Sequence, residues 1–463
     1  NLFFYTLGVF GMPSALRFPD GSYTRHTDIQ EILQRFHLSE CVEIIGFSNL
    51  GKSELLRLLA QPDVWQKELG EAAKRFLPVY IDCNRMVEVT DQGVYELILR
   101  CLRESDAALA DHPELLDAYN GLTIPANEFQ IPLSFNRGLT AAVQASQRTL
   151  VLLFDEFDEA FAQVDSRVFL NLRAKKDRYG AALVYATATV ERMDSIRPDE
   201  HCAEFCELFV PHRWHLAPLA AGDAAHFVRD ASERAGVELE QSDVEFLYLW
   251  SGGHPGLLTG ATQLLIDALG REGVGADHWV LQRQLAPVLR ESPVLARESQ
   301  KIWHNCSESE RQALLALFAG QPADETVLSR LEEKHILIRV EDERRAFSRL
   351  FSAFAQSKES QSRPAAKGLW VDGDSGEVLV DGVAAETLTK LEYQLMTLLF
   401  ENADKIIDKY QIVTGVWGDA YIDEVDDARI EKLVSRLRQK VEPDPTAPRF
   451  ITTVRGRGYR LLL

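Results

Sequence analysis

No apolar run in this sequence approaches the ~18–20 residues that a membrane span needs, so no spanning helix is expected. Cysteine is scarce. The six residues Cys41, Cys83, Cys101, Cys202, Cys206 and Cys306 are scattered along 463 positions, which excludes a disulfide-built scaffold and suits reduced thiols in a cytoplasm. Positive charge is in deficit: 50 Lys and Arg against 70 Asp and Glu leave a net −20. That excludes a protein coating nucleic acid or anionic membrane with its whole surface. An initiator Met and a basic leader are missing from Asn1–Tyr5, so no signal peptide is expected. Met12 is a candidate start, with residues 1–11 a remnant of added sequence. Internal repeats of ~20–50 residues are absent too.

What is present is ordinary globular composition, 46% apolar and 26% charged, in a chain too long for one core. At ~100–200 residues per domain, three or four domains are expected. The first half alternates continuous apolar runs with helical stretches, which predicts a parallel sheet covered on both faces. The predicted strands are Cys41–Ile45, Phe76–Asp82, Leu150–Phe154 and Ala181–Ala186. His201, Cys202, Cys206, His212 and His215 are metal-ligating types in one stretch. Apolar Phe205, Leu208 and Phe209 interrupt them, so buried structural cysteines are expected instead.

From Ala217 the pattern turns helical. At 290–357 a smaller unit follows: a capping box Ser307-x-x-Glu310 opens the helix Arg311–Phe318, Leu328–Glu332 is a second helix, and Ile336–Val340 with Arg345–Phe347 form a hairpin. Ser357–Lys367 lacks apolar periodicity and is read as a linker. The domain assignment is therefore 1–19 an N-terminal extension or remnant, 20–216 a core, 217–289 a helical lid, 290–356 a small unit, 357–367 the linker and 368–463 a final unit.

Gly46-Phe47-Ser48-Asn49-Leu50-Gly51-Lys52-Ser53 fits the P-loop pattern, with a strand (Val42–Ile45) before it and a helix (Glu54–Leu59) after it. Glycines let backbone N–H groups converge on phosphate oxygens, and the helix N-terminus adds its positive dipole end. Lys52 is the candidate phosphate cation and Ser53 the candidate Mg²⁺ ligand. A second apolar run, Thr149–Phe154, ends in Asp155 and Glu156. Both acids emerge at the edge where the phosphates lie, Asp155 to hold Mg²⁺ and Glu156 to polarise an attacking water. Thr187 and Thr189 follow the next strand as candidate γ-phosphate sensors, and Arg192 and Arg213 are candidate charge-stabilising arginines.

Four segments together resemble the STAND branch of the AAA+ P-loop ATPases. They are Tyr23-Thr24-Arg25 before a helix (Thr24 where that family has Gly), the loop Gly46–Ser53, Leu153–Asp158, and Ser251-Gly252-Gly253-His254-Pro255. The resemblance spans roughly residues 20–357. It implies an ATP/ADP site with Mg²⁺ in which Arg25, Gly46, Ser48, Asn49, Leu50, Gly51, Lys52, Ser53, Glu54, Thr187, Gly253, His254 and Pro255 contact nucleotide. It also makes residues 290–356, ending in Phe347–Phe351, a first winged helix that packs on the nucleotide in the off state. The ligand-sensing C-terminal repeats usual in that family are not in this sequence, so the sensor is expected elsewhere or beyond this chain. Without the resemblance, Gly-Gly-His-Pro reads as a helix-punctuating turn.

The last unit carries a capping box Thr389-x-x-Glu392, a helix Lys409–Val416, and a helix from about Asp427 to Val441 with the apolar stripe Ile430, Val434, Leu437 and Val441. Its other face carries Arg429, Lys432, Arg436 and Lys440. Phe450–Val454 and Tyr459–Leu462 flank a cationic turn containing Arg455 and Arg457. A basic helix beside a basic hairpin suits a major groove and its neighbouring minor groove. The unit resembles the winged-helix output domain of OmpR/PhoB-type response regulators, through Leu388-Thr389-x-x-Glu392, Val416-Trp417, Arg436-Leu437-Arg438 and Thr453–Arg460. Two weak strands between Leu369 and Val383 match that family's N-terminal sheet. The resemblance implies Arg436 on bases, Arg438 on phosphate and Arg455 in the minor groove of double-stranded DNA. Ala428 stands where the family tends to have Arg, and Leu433 occupies a position often polar and DNA-facing.

The combined reading is a multidomain α/β plus α+β protein. It is an ATP-dependent transcription regulator whose slow, Mg²⁺-dependent hydrolysis switches self-association and DNA binding, in the cytoplasm, without membrane contact and with an unidentified inducer. Two alternatives stand beside it. One is a STAND sensor or defence scaffold whose last winged helix binds protein; the acidic run Asp419–Asp427 favours this. The other is an initiator-like AAA+ ATPase that also binds DNA through 290–357. From Ala428 to the end, nine Lys and Arg against three Asp and Glu give +6, so the remaining 427 residues carry −26.

Overall fold

The computed structural model describes residues 23–272, 277–341, 343–362, 369–371, 378–380, 383–385, 388–418, 425 and 427–462. Four continuous apolar segments and one short amphipathic one form strands: β1 (Val42–Ile45), β2 (Phe76–Asp82), β3 (Thr149–Asp155), β4 (Leu183–Thr189) and β5 (Arg213–His215). They make one parallel sheet in the order β2-β3-β4-β1-β5. Every residue of β1 and β4 is buried, as strands covered by crossover helices require. Two expectations are corrected. The fourth strand begins at Leu183 because Gly180–Ala182 form a single 3₁₀ turn, and β5 was not foreseen because three half-buried residues carry no periodic signal.

Parallel pairing places the P-loop, which follows β1, beside the ends of β3 and β4. Between β2 and β3 stand the helices Asp91–Ser105, Ala107–Ala110, Pro113–Thr123 and Gln130–Ser146. After β5 come Ala221–Ala235, Gln241–Ser251, Pro255–Glu272 and His278–Glu291, the helical lid. Gly252 and Gly253 both have positive φ (63° and 76°); side chains there would overlap the Phe347 and Leu219 carbonyls, so two glycines are required for this turn. Helices Pro293–His304, Glu308–Phe318 and Glu325–Glu333 with the hairpin β6 (Leu337–Val340) and β7 (Glu343–Ala346) form a first winged helix in the same core. Its capping box is made, with Ser307 N–H donating to Glu310 at 2.7 Å.

The chain divides into compact units 1–356 and 357–463. The segment read as a linker starts inside the helix Arg349–Ser362. An apolar stripe (Leu350, Phe351, Ala355) nucleates that helix, and Gln, Lys and Glu continue it because they are good helix formers.

In the second unit, β8 (Leu369–Val371), β9 (Val378–Val380) and β10 (Val383–Ala384) form an antiparallel sheet, three strands where two were expected. Helices Lys390–Glu401, Lys409–Val416 and Asp427–Val441 pack with the hairpin β11 (Ile451–Val454) and β12 (Gly458–Leu461) around Leu395, Leu399, Ile430, Val434, Leu437 and Ile451. Of the acidic run Asp419–Asp427, only Val425 and Asp427 are among the described residues. No described helix is long and apolar enough to cross a membrane.

Candidate functional site

The P-loop turns through two left-handed residues, Asn49 (φ 60°) and Gly51 (φ 94°), before the helix Lys52–Leu59. Lys52 is buried and donates to the Gly46 carbonyl at 2.6 Å, spanning the loop from inside. Burial pushes its ammonium below the ordinary lysine range, against the pull of Asp158, Glu156, Asp155 and Glu54. Ser53 Oγ lies 3.1 Å from Asp155 Oδ1, so the predicted cation ligands meet although 102 residues separate them. Glu156 follows in a left-handed conformation (φ 51°) at an exposed position. Partial desolvation of its carboxylate raises its pKa, Lys52 opposes this, and the Asp155 and Asp158 carboxylates add to it.

The sheet register separates the two candidate sensors. Thr187 stands level with Glu43 and Phe154, whereas Thr189 stands level with Ile45, at the start of the loop. Both hydroxyls are buried with no hydrogen-bond partner among the described residues, the kind of orphaned polar atom that a polar ligand satisfies. Arg192 and Arg213 are already engaged. Arg192 pairs with Asp194 at 2.8 Å, and Arg213 bridges Glu43 (3.1 Å) and Asp194 (2.6 Å).

Arg25 (φ 58°) is buried over the loop, donating to the Leu50 carbonyl at 2.6 Å and the Ala217 carbonyl at 2.9 Å. Beside it opens a cleft of about 310 Å³ lined by Thr24, Arg25, Gly51, Glu54, Phe227 and Pro255 among others. Its position joins the P-loop to the lid. Its walls are largely apolar with a polar margin, the make-up of a small-molecule cleft.

Of the lid motif, Pro255 lines this cleft together with Gly256, but Gly253 and His254 do not. His254 is fully buried, and its ring lies parallel to Phe47 at 5.5 Å. Its Nδ1 accepts the Leu257 N–H at 3.1 Å, which leaves Nε2–H to donate to the Ser48 carbonyl at 2.9 Å. Burial depresses its pKa to about 4, so the ring is neutral near pH 7. Both nitrogens serve protein groups, and the implied direct contact between His254 and nucleotide is corrected to a contact with the loop.

Several residues at the site carried no sequence signal. Ser48 N–H donates to Asn305 Oδ1 at 2.7 Å, and Asn49 Nδ2 donates to Glu298 Oε2 at 2.6 Å, both from the first winged helix. Asp158, quoted in the motif without a role, takes the Val190 N–H at 2.8 Å and exerts the largest opposing pull on Lys52. Tyr80 OH donates to Asp155 Oδ2 at 2.6 Å. A second cavity of about 670 Å³, bounded by Asp158, His215, Asn305 and Lys334, separates the sheet from the winged helix. Lys334 crosses this seam to Glu191 and also pairs with Glu310 of its own winged helix at 2.7 Å. Cys202 and Cys206 are buried with Phe205 and Phe209 in the core, while His201 is exposed.

In the second unit, Arg429, Lys432 and Arg436 line the exposed face of the helix Asp427–Val441, and Arg455 and Arg457 lie exposed at the hairpin turn. Arg438 and Lys440 are drawn into the domain's own packing. Arg438 donates to the Ile451 carbonyl and to Thr453 Oγ1, and Lys440 pairs with buried Glu392 at 2.8 Å. Leu433 is core, not groove-facing: it lies three positions from Ile430 and four from Leu437, on the buried stripe. Gly458 (φ 132°) abuts the Ile407 carbonyl, and any side chain there would overlap it.

Residues 384–461 match the family model described as "Transcriptional regulatory protein, C terminal". Over 93 residues the chain is 38% identical to the uncharacterized transcriptional regulatory protein YcbL of Bacillus subtilis and 41% identical to the response regulator ArlR of Staphylococcus saprophyticus. Each match covers 20% of this chain and 40% of the relative. The chain thus spans well under half the length of these curated relatives. Among solved structures, the Klebsiella pneumoniae RstA DNA-binding domain in complex with RstA box is 27% identical over 20% of this chain and 91% of that one, with a TM-score of 0.19. The walker-type ATPase paby2304 of Pyrococcus abyssi is 13% identical over 74% of this chain and 97% of that one, with a TM-score of 0.44. The Aeropyrum pernix ORC2 protein is 14% identical over 72% and 94%, with a TM-score of 0.42. From its own strand order and P-loop, the first unit has the AAA+ P-loop fold, and the last is a winged helix of the response-regulator type.

Proposed function

We propose that this chain is a nucleotide-switched transcription regulator. The first unit would bind and slowly hydrolyse ATP, and the final winged helix would bind double-stranded DNA. The observation that carries the switch is the double clamp on Ser48, whose carbonyl is held by His254 of the lid and whose N–H is held by Asn305 of the first winged helix. A P-loop peptide wired to two separate elements can transmit its own rearrangement to both.

The donor set suits a Mg²⁺-nucleotide. Gly51 frees the backbone for close approach, Lys52 lies inside the loop, and Ser53 and Asp155 are the oxygen ligands that would hold the ion. When bound, Mg²⁺ neutralises charge on the β- and γ-phosphate oxygens. In this reading Glu156 would orient water, Thr187 and Thr189 would offer their buried hydroxyls to the ligand, and Arg25 would shape the base cleft. His254 acts on the loop rather than on the nucleotide. Release of the clamp would favour self-association, and several winged helices on one assembly bind DNA far more tightly than one. A cytoplasmic location and an inducer of unidentified chemistry complete the reading.

The initiator-like alternative is weaker because the hairpin of the first winged helix, the part that would enter a groove, has its arginines paired with acids. Arg339 and Arg344 pair with Glu332, Arg344 also with Glu325, and Arg345 with Glu343. The exposed Lys432, Arg436, Arg455 and Arg457 favour DNA over a protein partner for the final unit. The test is duplex binding and molar mass of the full chain with ATP, with ADP and without nucleotide. Affinity and mass are expected to rise together with ATP. Binding that ignores nucleotide would remove the switch, and no salt-dependent binding to any duplex would favour the protein-scaffold reading.

A further inference from the structure

Tyr80 has no place in the P-loop pattern, yet it touches the acid on which the cation site depends. It sits on β2 opposite Leu153 of β3, two positions before Asp82 stands opposite Asp155. From there its hydroxyl reaches Asp155 Oδ2 at 2.6 Å. An ionised carboxylate only accepts, so the phenol is the donor. The other oxygen, Oδ1, takes Ser53 Oγ–H at 3.1 Å and the Glu156 N–H at 3.0 Å. Asp155 is buried, so each donor orients it against little competition from solvent. The ring of Tyr80 is itself held, with the Arg57 guanidinium 5.7 Å from its centre and Arg57 one turn beyond Ser53 on the same helix.

A carboxylate rotates readily about its last bond. With Oδ2 tied to Tyr80, rotation would break that bond, so Oδ1 stays on the Ser53 side. Ser53 then spends its proton on Asp155, leaving the lone pairs of its oxygen for a cation. We propose that Tyr80 is a positioning residue for the divalent ion of the P-loop site. It pins the Asp155 carboxylate so that Asp155 and Ser53 present their oxygens together. This inference rests on the nucleotide-binding reading above and adds a member that the motif does not contain.

Tyr80→Phe tests it, because the ring keeps its place under Arg57 and only the hydroxyl is lost. The probe is ADP carrying a fluorescent methylanthraniloyl group, titrated into the full chain in EDTA and again in Mg²⁺. The wild type is expected to bind more tightly with Mg²⁺. Tyr80→Phe should keep its EDTA affinity within about twofold while the Mg²⁺-dependent gain falls by roughly 10-fold, as for other groups that orient metal ligands. In a double-mutant cycle, adding Tyr80→Phe to Asp155→Asn should cost no further Mg²⁺-dependent gain. An unchanged gain in Tyr80→Phe, an equal loss in both buffers, or additive losses in the cycle would each overturn the role of Tyr80. A wild-type chain that binds the probe in neither buffer would instead overturn the nucleotide reading itself.

Discussion

His254 Nε2–H on the lid donates to the Ser48 carbonyl in the P-loop at 2.9 Å, across 206 residues of sequence, with its ring parallel to Phe47. The second bond of the ring, from the Leu257 N–H to Nδ1, requires a neutral ring, because a protonated Nδ1 cannot accept. Burial depresses the folded pKa to about 4, below the ordinary 6.5 of an unfolded histidine. Between these values the unfolded chain binds more protons, so the contribution is complete above pH 6.5 and is lost as pH falls toward 4. The linkage is worth about 3 kcal/mol. Denaturant unfolding of the first unit in wild type and His254→Gln, compared at pH 7 and pH 4.5, should show the difference between them shrinking in acid. A difference that does not change with pH removes this account.

Lys52 and Glu156 should separate binding from hydrolysis. Lys52→Ala is expected to abolish nucleotide binding, measured by calorimetry. Glu156→Gln should keep ATP bound and lower turnover by roughly 100-fold or more, as loss of a general base does, and hold the assembled form. A Glu156→Gln protein that hydrolyses ATP at the wild-type rate would refute the assignment.

Asn305→Ala removes the acceptor of the Ser48 N–H while leaving the P-loop sequence intact. One lost hydrogen bond between the winged helix and the loop should speed release of fluorescent ADP by roughly 3–10-fold. Stopped-flow chase with unlabelled ADP reads this directly. Unchanged release would mean that Asn305 does not restrain the site.

Arg436 and Arg438 lie two positions apart and should behave oppositely. Arg438→Ala breaks bonds to the Ile451 carbonyl and Thr453, costing the second unit about 1–3 kcal/mol. Arg436→Ala, at an exposed position, should leave stability within about 0.5 kcal/mol yet weaken duplex binding. Thermal unfolding and duplex titration on the same two proteins decide it. Equal melting points for both variants would contradict the structural role of Arg438.

Much of this protein was legible where chemistry is local. The loop Gly46–Ser53 declares itself because phosphate binding demands fixed residue types at fixed spacing. The capping boxes Ser307–Glu310 and Thr389–Glu392 do so because a helix start must satisfy its own amides. The stripe Ile430, Val434, Leu437 and Val441 follows from helical period alone, and the structure adds Leu433 to it. Three half-buried residues at β5 and helix-forming polar residues at Ser357–Ser362 lay below what periodicity can resolve.

The sequence by itself determined the four longer strands of the parallel sheet, the loop and its two acids, and the basic helix and hairpin, since each is specified by neighbours within about two turns or one strand. Only the tertiary structure decided which groups those elements meet. It put Asn305 on the Ser48 N–H and His254 on the Ser48 carbonyl, the Tyr80 hydroxyl on Asp155, and Lys440 on Glu392. It also showed Arg213 already bound to Glu43 and Asp194. Each of these is a directional contact between distant parts of the chain or between crossing elements. A hydrogen bond or ion pair over such a separation depends on strand order and helix packing, which no local spacing encodes.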